Sequence, residues 1–380
     1  MTRSFVALAL ATFALGIAEF GMMGILGDVA SGVGVPISTA GHLISAYSLG
    51  VAVGAPMLIV LRRMPLRRLL LLLAAVIALG NAAAMAAPGF HTLLCARFIS
   101  GLPHGAFFGT GAIVCQRLAR PGFGAQAVSI MVGGMTVANL VGVPLATFGC
   151  TIAGWRFAFG VTALSAVLAV WAIHRWVPVM DSLPDTGIRG QFRFLRHAAP
   201  WLIYAGVFFG QASVYCYLSY VEPAMTHLAG FSMADMSWIM MVAGLGMVVG
   251  NAMAGRMADR YGEARVSGMI ALALTGVMTA VYFCASDGPV AVALLFVATA
   301  GLFGIGGPLQ FLIVRYARGG EMLGGAGIQI AFNVSNAVSA LIGGLAIGHG
   351  LSLASPALIG APLALIGAGA LIYLAARQKG

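Results

Sequence analysis

Twelve apolar runs of roughly twenty residues each divide the chain, at about 5–27, 40–61, 69–87, 92–116, 125–149, 156–177, 200–221, 236–255, 266–285, 290–313, 323–348 and 357–376. A run of about 20 apolar residues is long enough to cross the hydrocarbon core of a bilayer. Lipid offers no hydrogen-bond partner, so each run must satisfy its backbone internally and is expected to be a helix. The pattern therefore predicts an all-α polytopic membrane protein with twelve transmembrane helices. The longest polar segment, 178–199, divides it into six-helix bundles at 1–177 and 200–380. Its second part reads as a short basic amphipathic helix on the inner membrane surface, with Phe192 and Leu195 facing lipid.

Charge adds an orientation. Eighteen of the twenty Lys and Arg residues fall in alternate gaps: Arg3; Arg62, Arg63, Arg67 and Arg68; Arg117 and Arg120; Arg175, Arg189, Arg193 and Arg196; Arg256, Arg260 and Arg265; Arg315 and Arg318; Arg377 and Lys379. The positive-inside bias makes these gaps, and both termini, cytoplasmic. The opposite gaps carry Asp28, Glu222, Asp235 and Asp287, with Arg156 at the outer start of a span. The first run, behind Arg3, is expected to be a retained span, because it is long for a secretory leader and has no good cleavage site.

Composition excludes a soluble domain, since 61% of residues are hydrophobic, 8% are charged and the mean hydropathy is +1.00, against roughly 25% charged in soluble proteins. The net charge of +10 sits on short loops at one membrane face, which points to topology and anionic lipid and away from nucleic acid. Cys95, Cys115, Cys150, Cys216 and Cys284 lie in or at the ends of spans without CxxC spacing. They read as small core residues, and no metal site is expected.

The two halves share a register. Placing Gly34 over Gly230 sets Leu49 and Gly50 over Leu245 and Gly246, and Gly54 over Gly250, without a gap. Such a repeat suits a transporter in which two bundles rock about a midplane site.

Particular motifs carry a resemblance. Gly255, Asp259, Arg260 and Gly262, with Arg265 behind them, resemble the inner-gate signature G-x-x-x-D-R-x-G of the major facilitator superfamily. Arg97 and Gly101 on span four are similar to its R-x-x-x-G motif, with Trp155 and Arg156 as companions. Together with the segments around Glu19 and Val143 they resemble the drug and sugar proton-antiporter branch. That resemblance implies a bacterial inner-membrane, proton-coupled exporter of a small organic solute such as a sugar or drug, with spans one and four lining a central cavity. Three positions depart from the pattern: the first-half turn has Pro65 and no aspartate, span five has Gly142-Val143-Pro144 in place of a Gly-Pro doublet, and span one ends Leu26-Gly27-Asp28.

Among the acids Glu19 alone falls inside a predicted span, and among the bases Arg97 alone lies well within one. Burial disfavours a charged carboxyl, so such a group can load and release a proton near neutral pH. At 1.5 Å per residue Glu19 lies about 12 Å and Arg97 about 7 Å below the outer ends of their helices. Glu19, Arg97 and His104 are the proton-coupling candidates, the competing role being a static buried ion pair. His104 shares a helical face with Arg97, Gly101 and Phe108. His42, His91, His227 and His349 fall at span ends.

The second half presents polar stripes without charge: Gln329, Asn333 and Asn336 on span eleven, and Tyr204, Phe208, Gln211 and Tyr215 on span seven. With Asn139 on span five they are the substrate candidates, amides for hydrogen bonding and aromatics for stacking, although interhelical bonding would use the same residues. An uncoupled facilitator or a symporter fits the same pattern. No HExxH, GxSxG or GxxxxGK[ST] sequence occurs, so neither intramembrane catalysis nor ATP drive is expected. The expected energy source is the proton gradient, with no cofactor and no catalytic residue. The expected partners are a small-molecule substrate, protons and the lipid bilayer, with the chain working as a monomer.

Overall fold

The computed structural model describes residues 2–61, 64–120, 124–182, 189–317 and 321–378. Its twelve long apolar helices are spans one to twelve: Arg3–Gly24, Ile37–Gly54, Leu66–Met85, Phe90–Cys115, Ile130–Ala153, Arg156–Trp176, Ala198–His227, Met233–Ala258, Glu263–Cys284, Gly288–Ile313, Gly324–Gly348 and Ser355–Arg377. No strand occurs among the described residues. The end of the molecule carrying the arginine clusters is called the basic face below, and the other the acidic face.

Several spans are interrupted, and three of the interruptions bear on the candidate residues. Span one is α-helical to Phe20 and then tightens into a 3-10 turn over Gly21–Gly24. Span four is two helices, Phe90–Gly101 and Pro103–Leu118, because Pro103 has no N–H to continue the first and starts the second well. Span five widens into a π turn over Ala138–Gly142, just before Pro144. Each break frees backbone groups from the regular ladder. Glu19, His104 and Asn139 stand at these three breaks.

The repeat read from the sequence has a packing basis. A Cβ on Gly50 or Gly54 of span two would run into the carbonyls of Phe98 and Leu102 on span four. Likewise, Gly246 and Gly250 of span eight lie against the carbonyls of Phe296 and Ala300 on span ten. Without a hydrophobic drive between helices in lipid, such close backbone approach is what binds them. The aligned glycines thus do the same work in each half.

One buried cluster runs the length of the second half and crosses into the first toward the acidic face, joining Phe20, Met23 and Leu26 to Tyr217, Tyr220 and Met240. A second, with Leu15, Leu70, Phe107 and Ile173, belongs to the first half. The hydrogen bonds that cross between halves lie on the acidic side. Ser45 donates to the Ala337 carbonyl at 2.8 Å, Ser237 donates to the Pro144 carbonyl at 3.0 Å, and the Gly27 N–H donates to Glu222. Toward the basic face, the side-chain bonds among the described residues stay within one half, as in Glu263 with Arg315 at 2.9 Å and Ser4 with the Trp176 carbonyl at 2.7 Å. The halves are therefore sealed on the acidic side.

The second part of the linker is a short helix, as expected, and its detail differs. Arg189–Arg196 is a 3-10 helix, and Phe194, 4% exposed, is its anchor in the core. Leu195 packs half-buried against the same cluster and Phe192 is exposed. The three-residue repeat aligns Phe192 with Leu195, but tertiary burial selects Phe194.

Candidate functional site

Glu19 ends the regular helix of span one and is 1% exposed. Neither of its carboxyl oxygens has a hydrogen-bond partner among the described residues. Its nearest basic partner is His104, whose Nε2 lies 3.8 Å from Oε2, inside ion-pair range and outside hydrogen-bond range. The imidazole stacks on Phe108, ring centroids 5.3 Å apart, and its Nδ1 meets the Tyr47 hydroxyl at 2.9 Å. Glu19 and His104 are thus brought together.

Glu19 and Arg97 are not in the ion-pair contact weighed above against proton coupling. Arg97 is fully buried and donates from Nη1 to the Ala18 carbonyl at 2.6 Å and from Nε to the Leu43 carbonyl at 3.3 Å. Its guanidinium lies over the Tyr47 ring, 4.4 Å from the centroid, and Nη2 has no partner among the described residues. The break in span one accounts for the Ala18 bond, because carbonyls next to a 3-10 turn need donors and a buried guanidinium supplies several.

In the second half, Gln211 donates from Nε2 to the Leu302 carbonyl at 3.2 Å, and Asn333 from Nδ2 to the Gln329 carbonyl at 3.0 Å. These bonds fix the amide orientations and leave Gln211 Oε1 and Asn333 Oδ1 as buried acceptors without partners. Among the described residues Asn336 has both side-chain atoms unpartnered, as are the Tyr215 hydroxyl and Asn139 Oδ1. Tyr215 packs edge-on against Phe332 at 5.3 Å, Phe332 against Phe303 at 6.5 Å, and Phe303 against Phe20 at 5.9 Å. That aromatic chain joins the polar residues of the second half to the neighbour of Glu19. Tyr204 and Phe208 serve differently: the Tyr204 hydroxyl donates to the Gly324 carbonyl at 3.1 Å and the Phe208 carbonyl accepts from Ser335 at 2.8 Å, both tying span seven to span eleven. Gln329 is half-buried and contributes its carbonyl to Asn333.

At the basic face Gly262 takes a left-handed φ of 89° and turns the chain between spans eight and nine, a conformation suited to glycine. Arg260 stacks on Tyr261 at 5.2 Å, Arg265 is exposed, and Gly255 has open space around it. The side chain of Asp259, and Arg62 and Arg63, lie outside the described residues. Among the described residues no cluster of His, Cys, Asp and Glu could hold a metal ion.

Two residues escaped the sequence reading. Tyr47 gave no signal because one tyrosine in an apolar run resembles packing. Glu222 fell in a loop gap, yet it is 2% exposed and its carboxyl accepts the N–H of Gly27, at the start of the short helix Leu26–Val33. A carboxyl at a helix N-terminus is favoured by the amides and dipole there. Glu222 thus joins the halves at the acidic face, where a recess of about 670 Å³ is lined by Asp28, Glu222, Thr226, His227 and Phe231. Burial pushes the Asp28 carboxyl above its usual range.

Comparison with known proteins agrees with this architecture. The family model of the Major Facilitator Superfamily matches residues 8–324. AraJ of Escherichia coli strain K12 is 43% identical over 353 residues, 93% of this chain and 90% of AraJ. The inner membrane transport protein YdhP of the same organism is 32% identical over 374 residues, 98% of this chain and 96% of YdhP. Among solved structures, a bacterial homologue of the human lysosomal transporter Spinster, inward-facing and unoccupied, superposes with a TM-score of 0.69 at 16% identity, covering 99% of this chain and 95% of the other.

Proposed function

Because the chain belongs to the major facilitator superfamily and is a transporter of small solutes, we propose that it is a proton-coupled exporter of the bacterial inner membrane. It cycles between two states in which one face or the other is open. The arginine-rich face is cytoplasmic by the positive-inside bias. The seal described above then closes the outer side, and the central residues are reached from the cytoplasm. A solute enters from that side and contacts the unpartnered amides and the aromatics of spans seven and eleven. Reorientation carries it outward, and a proton taken up at Glu19 from outside drives its release. Antiport is the direction that the resemblance to the drug and sugar antiporter branch supports.

The observation that carries this reading is Glu19, a carboxyl 1% exposed between the two halves with both oxygens unpartnered. Leaving a buried polar group unbonded is costly, and more so when it is charged. A residue kept in this condition is suited to changing its proton occupancy, with Arg97 and His104 beside it to receive the anion. The test uses the purified chain in proteoliposomes under an imposed pH gradient, with an internal pH dye and a panel of sugars and lipophilic drugs. A substrate should move protons with wild type and not with Glu19→Gln. Solute movement without proton flux in wild type would make the protein a facilitator, and pH-driven transport by Glu19→Gln would remove Glu19 from the mechanism.

A further inference from the structure

Tyr47 touches both groups that flank Glu19. We propose that it is a positioning residue for that carboxyl: its hydroxyl fixes His104 in the tautomer that turns an N–H toward Glu19, while its ring holds Arg97 in place. The functional consequence rests on the proton-coupling reading above; the geometry does not.

Tyr47 is 1% exposed on span two. It is drawn into the site by the close packing of spans two and four, where a Cβ on Gly101 would overlap the Tyr47 carbonyl. Among the described residues its hydroxyl has one polar partner, His104 Nδ1 at 2.9 Å. Nδ1 is the one acceptor the Tyr47 hydroxyl hydrogen meets among the described residues, and a buried hydroxyl is more stable bonded than unbonded, so in this assignment Tyr47 donates and Nδ1 is bare. A neutral imidazole carries one N–H, which is then on Nε2, the nitrogen 3.8 Å from Glu19 Oε2. A small side-chain rotation or one bridging water closes that gap. Arg97 has spent Nη1 and Nε on the carbonyls of Ala18 and Leu43 and keeps Nη2 free.

Deprotonated Glu19 therefore has one donor facing it, His104 Nε2–H at 3.8 Å, with the Arg97 guanidinium farther away and still carrying unbonded N–H groups, and both are held by Tyr47. In this scheme the proton leaves the Glu19 O–H for water in the cavity. The imidazole keeps its own proton throughout and takes up no charge. The titratable and charged groups around it are Glu19 from span one, Tyr47 from span two and Arg97 from span four, with Tyr215 of span seven at the far end of the aromatic chain that reaches Phe20. The competing arrangement is a relay, in which Nε2 is bare and accepts the Glu19 proton. It would strand the Tyr47 hydrogen without an acceptor.

Two measurements on the full chain decide this, a tautomer measurement in lipid nanodiscs and the transport assay in proteoliposomes. Histidine labelled with nitrogen-15, with the resonance identified by its loss in His104→Gln, should show His104 neutral, protonated at Nε2 and hydrogen-bonded at Nδ1. Tyr47→Phe keeps the ring under Arg97 and should convert this to a mixture of tautomers. In the transport assay Tyr47→Phe should move the midpoint of the pH profile upward by about one unit, because the anion loses a donor. Tyr47→Leu, which removes the ring as well, should move it further. An Nδ1–H tautomer or an imidazolium in wild type, an unchanged tautomer in Tyr47→Phe, or an unchanged pH profile would each overturn the assignment. Failure of proton coupling itself would appear separately, as solute movement without proton flux in wild type, and leaves the tautomer measurement standing.

Discussion

Replacing Gly244 by alanine should push the transporter off the state seen here without unfolding it. Gly244 lies on span eight, against the π turn of span five, so this contact crosses between the two halves. A Cβ there would overlap the Asn139 carbonyl oxygen and lie 2.7 Å from its carbon and 3.1 Å from the Leu140 nitrogen. Carbon contacts settle at about 3.5–4.0 Å, so the helices must part by about 1 Å. Overpacking of this kind costs about 1–3 kcal/mol. The cost falls on the sealed state alone, since opening the acidic side separates spans five and eight. The gain in helix propensity from glycine to alanine, about 1 kcal/mol, applies to both states and cancels. At 1.4 kcal/mol per factor of ten, the ratio of open to sealed protein should rise about 5- to 150-fold.

The control is Gly360→Ala. Its Cβ would overlap the Ser213 carbonyl, with the carbonyl carbon at 2.9 Å, but Gly360 and Ser213 are both in the second half. That clash persists in either state, so it should lower the unfolding temperature and leave the ratio unchanged. The assay is pulsed electron resonance between spin labels at Ser31 and Ala234, exposed positions on opposite halves at the acidic face, in a background with the five native cysteines replaced. Gly244→Ala should add a longer-distance population. An unchanged distance distribution, or an equal change in Gly360→Ala, would refute the claim that this contact belongs to one state.

Three further outcomes follow from the same geometry. Glu222→Ala leaves the Gly27 N–H without its acceptor, at a cost of about 1–3 kcal/mol, and should shift the same label pair toward longer distances; an unaltered distribution would show that the bond does not hold the seal. Asp28 has its carboxyl raised by burial in the sealed state, so the sealed state binds that proton more tightly. Its contribution is complete below the open-state value and lost as pH rises through the sealed-state value. Raising the pH should therefore open the acidic side, Asp28→Asn should blunt the effect, and opening on acidification would reverse the reasoning. Gln211→Ala and Asn336→Ala each remove one hydrogen-bonding side chain offered to the solute, at about 1 kcal/mol, and should raise the KM of export about fivefold with kcat little changed. An unchanged KM would return these amides to interhelical packing.

Much of this architecture was legible along the chain. Hydropathy is a local property, and a helix in lipid must be apolar over its whole length, so the runs mark twelve spans. Close approach in lipid requires glycine wherever two backbones touch, so aligning Gly50 and Gly54 with Gly246 and Gly250 exposed the repeat before its packing was known. Rarity marked Glu19, Arg97 and His104, because an ionisable group within an apolar run is costly and stands out. Uncharged candidates were less legible. Gln211, Asn333 and Asn336 present free polar atoms, while Tyr204 and Phe208 of the same stripe bond to span eleven, and spacing alone does not separate the two uses.

The sequence by itself determined the number of helices, the charge asymmetry of the two faces, the register shared by the halves and the buried charges. Tertiary structure decided which of these groups meet. It turned Arg97 toward the carbonyls of Ala18 and Leu43, placed the Tyr47 hydroxyl on His104, brought Glu222 across to Gly27 and pressed Gly244 against Asn139. It also broke spans one, four and five beside the residues at issue. The physical reason is range: the lipid environment acts on each segment separately and leaves its mark on local composition, whereas a hydrogen bond between groups tens to hundreds of residues apart depends on how the helices pack against one another.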